Sequence, residues 1–130
     1  MESHDSTTFL RRSLQLDGFA SGLTGVLLLV AAGPVSTLIG NAAPGIARLV
    51  GAGLVLYAAA LFWNARRATI ARGEVVVAVL LNVGWVIGSA VLIVFGPLTA
   101  LGNVAVAAVA LAVLGFTLLE IVGLRRLSEA

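Results

Sequence analysis

Apolar residues run almost unbroken through two long halves of this chain, and one polar stretch, Trp63–Glu74 (WNARRATIARGE), separates them. About 20 apolar residues, rising 1.5 Å each, cover the ~30 Å hydrocarbon core of a bilayer, and each half holds two such runs. The pattern predicts spans over residues 14–32, 46–64, 75–95 and 101–124, and hence an all-α four-transmembrane-helix bundle. Residues 1–10 (MESHDSTTFL) lack a helical apolar face and are expected to form a flexible cytoplasmic tail ahead of the 11–130 membrane domain. Gly33-Pro34 and Gly96-Pro97 are expected to end the first and third spans, because proline removes a backbone donor and disfavours helix in the residue before it. The segment from Pro34 to Pro44 then reads as an uncharged loop. Arg11-Arg12 before an apolar run that closes on Val30-Ala31-Ala32 resembles a signal peptide, or faintly a twin-arginine signal. We read this segment as a retained helix.

Charge fixes the expected orientation. All eight basic residues are arginine, and Arg11, Arg12, Arg66, Arg67, Arg72, Arg125 and Arg126 fall on one side if the spans alternate. That asymmetry predicts a multi-pass protein of the bacterial inner membrane with both termini in the cytoplasm. Arg48 is the exception, expected to snorkel to the outer headgroups. Trp63 is expected at the inner interface. Hydrophobic residues make up 60% of the chain and charged ones only 11%, too few for the polar skin of a water-soluble domain. The net charge of +2 suits anionic lipid headgroups better than nucleic acid.

An internal repeat is visible. Gly18 and Gly22 in the first span answer Gly84 and Gly88 in the third. GPVSTLIGN (33–41) answers GPLTALGN (96–103), and spans two and four both end in an arginine pair. Two tandem helical hairpins follow, related by an axis along the membrane normal. The two GxxxG pairs, with Ser21/Gly25 beside the first, are helix-packing candidates, since glycines four apart let backbones approach closely. The expected contact joins spans one and three within the monomer, with a homodimer face as the other reading.

Polar side chains recur at helical spacing inside the spans. Asp17, Ser21 and Thr24 share one stripe, and Asn82, Trp85 and Ser89 another. Tyr57 lies near the middle of span two, and Thr117 and Glu120 lie one turn apart on span four. Interhelical hydrogen bonding explains such residues structurally; a small polar pocket is the functional alternative. Asp17 and Glu120 are the sharpest candidates, because an ionisable residue within a span costs a few kcal/mol or more. Their expected role is pairing with the arginines at the helix ends; if they instead met across spans one and four, they could carry a proton. His4 is expected to be solvated. Cysteine is absent, which removes disulfides and thiolate chemistry. No catalytic, metal or cofactor motif stands out.

The stretches LDGFASG (16–22), RLVGAGLVLYAAALF (48–62), LNVGWVIGSAVLI (81–93) and GLRR (123–126) resemble small bacterial four-helix membrane proteins, and in size and span count the chain is similar to DoxX-like proteins. The resemblance implies the fold and no activity. Small multidrug resistance transporters share the length and span count, and carry a glutamate in the first helix where this chain has the shallower Asp17. Fluoride channels of similar length carry polar motifs that this chain lacks. Two functions are compatible with these features. One is a non-enzymatic accessory subunit of a larger membrane complex, or a small homo-oligomer such as a homodimer, held by small-residue packing. The other is a minimal transporter or channel that uses Asp17 and Glu120.

Overall fold

The computed structural model describes residues 2–39, 44–96 and 98–129, with side chains described for 7–37, 45–96 and 98–127. Gly40–Ala43 and Pro97 of the expected loops lie outside the described residues, as does the side chain of His4. The described residues are helical apart from short turns: α1 (Glu2–Val30), α2 (Ala32–Ile39), α3 (Pro44–Arg66), α4 (Arg72–Phe95) and α5 (Ala100–Glu129). Four of these, all but α2, are long and apolar enough to cross a membrane. The chain is a multi-pass membrane protein with an all-α bundle.

Two boundaries differ from the sequence expectation. Residues expected to fray belong to α1, which starts at Glu2. Leu10 is fully buried, and Arg126 of α5 sits 4.6 Å over the ring of Phe9. Tertiary contact therefore holds a segment whose own pattern is weak. The first break falls at Ala31, not at Gly33-Pro34, and helix resumes as α2. Pro34 stands in the first turn of α2, where its missing N–H goes unneeded, while its ring would clash with the Val30 carbonyl of a continuous helix.

Packing is strongest within the sequence-adjacent pairs α1–α3 and α4–α5, and α1 also runs along α5. α3 and α4 do not pack side by side, although a short turn joins them. At the arginine-rich end that turn is fastened from several directions. Asn64, almost fully buried, donates to the Ala71 carbonyl at 3.2 Å and accepts from the Ala71 N–H at 2.8 Å. Arg11 of α1 donates to the carbonyls of Ala65 (2.7 Å) and Arg67 (3.0 Å), groups that a helix C-terminus leaves without intrahelical partners. Arg67 pairs with Glu74 at 2.8 Å, but both are half-exposed and such pairs contribute only ~0–1 kcal/mol. Beneath these polar clamps lies the apolar core: Leu10, Leu14, Leu61, Ala65, Ile70, Val75 and Ala78, drawn from α1, α3, the turn and α4.

The glycine contacts also differ from expectation. Gly18 packs against Phe62 and Gly22 against Ala58, so the first GxxxG pair meets α3 and not the third span. Gly84 and Gly88 have nothing within 4 Å of where a Cβ would stand. The closest helix approach uses Gly25 and Gly51 instead. A Cβ on either would fall 2.7 Å from the other's carbonyl oxygen. Gly51→Leu is accordingly expected to destabilise the bundle by about 1–3 kcal/mol through overpacking. Gly84→Leu should shift stability by less than about 0.5 kcal/mol. Thermal unfolding in a mild detergent checks both.

Candidate functional site

Where the apolar core ends, four helices each send one polar side chain inward. Asp17 of α1 and Glu120 of α5 are 1% and 0% exposed, Asn82 of α4 is 5% exposed, and Tyr57 of α3 is half-buried. The Asn82 amide bridges the two carboxyl groups, donating to Asp17 Oδ2 at 3.2 Å and to Glu120 Oε1 at 3.3 Å. Ser21, one turn above Asp17 on the same face, donates to Asp17 Oδ1 at 3.1 Å. The Tyr57 hydroxyl lies 3.1 Å from Asp17 Oδ2 and 2.9 Å from Asn82 Oδ1. It has one proton to give, so it serves one acceptor at a time.

The expected pairing of Asp17 and Glu120 with arginines does not occur. Arg67 pairs with Glu74 at the turn, away from both carboxyl groups. Arg11 is turned to backbone carbonyls and Arg126 to the Phe9 ring. The two carboxyl groups instead meet across α1 and α5, in a setting without a cation.

A count of hydrogens shows what this implies. Ser21, Tyr57 and the Asn82 amide can together donate four. The acceptors are both oxygens of Asp17, both of Glu120 and Asn82 Oδ1, and Glu120 Oε2 is buried with no partner. Tyr57 fills one of its two contacts at a time, Asn82 Oδ1 or Asp17 Oδ2, and Asp17 Oδ2 also accepts from Asn82. The cluster is short of donors, and in a low-dielectric interior each unmet acceptor costs ~1–3 kcal/mol.

Beside the cluster lies a cavity of about 370 Å³, walled by α1, α3, α4 and α5. Asp17, Ser21, Thr24, Tyr57, Asn82 and Trp85 supply its polar edge, and the remaining wall is apolar, including Leu54, Val113 and Phe116. Glu120 stands behind Asn82 and is not part of the lining. Thr24 and Thr117 spend their hydroxyls on their own helices, on Ala20 O (2.8 Å) and Val113 O (2.7 Å). Trp85 Nε1 is a buried donor without an acceptor. Ser89 is buried farther along α4, outside the cavity lining. Among the described residues no group of three or more His, Asp or Glu side chains is arranged to hold a metal ion.

Sequence reasoning did not single out Gly51, Asn64 as a turn clamp, or Arg11 as a helix cap. Asn64 had a usable signal, a polar residue in the last turn of a span just before a polar turn. Gly51 had none that sets it apart among fifteen glycines. Asn82→Leu should strip both carboxyl groups of their shared donor and cost about 1–3 kcal/mol or more, whereas Tyr57→Phe should cost ~1 kcal/mol. Denaturant titration in detergent micelles would separate the two. No family model, curated protein or solved structure matches this chain.

Proposed function

We propose that this chain is a minimal membrane transporter whose binding site is the Asp17–Tyr57–Asn82–Glu120 cluster and the cavity beside it. The observation that carries this reading is a cavity opening on the buried Asp17 carboxyl group, which Asn82 links to a second buried carboxyl group, Glu120, with no arginine neutralising either. Intramembrane carboxyl groups in such a setting take up a proton or a cation, because either supplies the missing positive charge. The uneven closure of the bundle supports the same reading. An apolar plug seals the arginine-rich end, while α3 and α4 stand apart beside the cavity. With the arginines on the cytoplasmic side of a bacterial inner membrane, the plug faces the cytoplasm. The tandem-hairpin repeat and the DoxX-like resemblance belong to the same proposal: each half contributes one carboxyl group, and α1–α3 and α4–α5 are each other's main partners.

A second reading, a packing subunit of a homo-oligomer or larger complex, is favoured by one observation. Gly84 and Gly88 leave a smooth stretch of α4 with nothing against it. Native mass spectrometry of mild-detergent extracts checks it. An oligomer that dissociates in Gly84→Leu would support this reading, since that change is not expected to disturb the monomer.

For transport, the test is proton flux in liposomes carrying a pH-sensitive dye inside and driven by a potassium diffusion potential. Wild-type protein should move protons above the leak of empty liposomes. Asp17→Asn and Glu120→Gln should each reduce the rate about tenfold or more, equivalent to ~1.4 kcal/mol. Glu74→Gln, at the exposed turn, should leave it unchanged. A wild-type rate equal to that of empty liposomes would reject transport.

A further inference from the structure

We propose that the solute of this site is a protonated amine with an apolar body, which donates N–H bonds to Asp17. This rests on the transport reading of the same cluster.

At the edge of the cavity Asp17 Oδ2 and Asn82 Oδ1 compete for the single Tyr57 proton, at 3.1 and 2.9 Å. A solute complementary to this end of the cavity must bring hydrogens, so a pure acceptor does not fit. It must also bring positive charge. Among the described residues, the titratable groups in the hydrogen-bonded cluster with Asp17 are Tyr57 from α3 and Glu120 from α5, and α4 presents the uncharged Asn82. With no cation in the lining, the cavity repels anions.

The rest of the wall selects the body of the solute. Leu54, Leu81, Val113 and Phe116 offer nothing to a hydrated metal ion and would strip its water without replacing it. They suit a hydrocarbon chain or ring. The aromatic rings of Trp85 and Phe116 add faces that favour an organic cation over a neutral molecule. A volume of about 370 Å³ lies at the small end of ligand cavities and suits one amine of modest size.

The experiment uses the full chain in lipid nanodiscs with Trp63→Phe, leaving Trp85 as the only tryptophan, and follows its fluorescence. The probes are 4-phenylbutylamine, its N,N,N-trimethyl analogue, 4-phenylbutanol and sodium chloride. The amine should quench Trp85 saturably. The trimethyl analogue keeps the charge but cannot donate, and should bind about tenfold more weakly or worse. The alcohol and sodium should give no saturable change. Ala112→Phe, which fills the cavity away from the carboxyl groups, should weaken the amine, and Asp17→Asn should abolish its binding.

Equal binding of the trimethyl analogue would overturn the N–H requirement, and equal binding of the alcohol would overturn the requirement for charge. A sodium response that blocks the amine would make this a small-cation site. Absence of amine binding while wild-type liposomes still move protons would overturn the solute assignment and leave transport standing. Absence of both would remove both.

Discussion

The bundle is organised around a bridge made by one amide. Asn82 holds Asp17 and Glu120 at once, and Tyr57 closes the group from the fourth side. In lipid, apolar side chains gain little by leaving the acyl chains for one another, so helix association depends on close packing and on bonds of this kind. Each polar group is tolerable inside the membrane only because the others are there. Placing all of them at one level fixes the rotation of four helices together.

Around that level the structure is unequal. Toward the arginine-rich end, large apolar residues interlock, Asn64 and Arg11 fasten the α3–α4 turn, and Gly123 brings α5 close to Leu10. On the other side of the cluster, α1 and α3 are drawn together at Gly25 and Gly51, while α3 and α4 part around the cavity. The stiff part thus presents Asp17 to the open part. That is the arrangement expected where a charged group must be held in register yet reached by a solute. The same feature limits stability, since the unmet acceptor on Glu120 and the unmet donor on Trp85 are costs that a purely structural core would have removed.

Much of this was legible in the sequence, and what was legible was what local pattern dictates. Runs of about 20 apolar residues specify membrane-length helices whatever they pack against, because in lipid each helix satisfies its own backbone. Helical spacing puts Asp17 and Ser21 on one face, and it selects Asn82, Tyr57 and Glu120 as polar residues in need of partners. Which partners they take is set by helix rotation and neighbour order, and neither is written in any one span. The arginine pairs illustrate this: Arg11 and Arg126 lie within reach of the carboxyl groups along their own helices, yet tertiary contacts turn them to the end of α3 and to Phe9.

Glycine shows the same division. The sequence offered two GxxxG pairs of equal standing, but one packs against α3 and the other faces open space, while the tightest contact falls at Gly25 and Gly51. The weakly patterned first residues, expected to fray, are helical because Leu10 and Phe9 find partners on other elements. The sequence by itself determined the number of spans and which side chains would be stranded polar groups in lipid, since these follow from composition and periodicity. The tertiary structure alone decided that the two carboxyl groups meet without a cation beside an open cavity. That outcome depends on where four separate helices bring their faces, and short-range pattern carries no record of it.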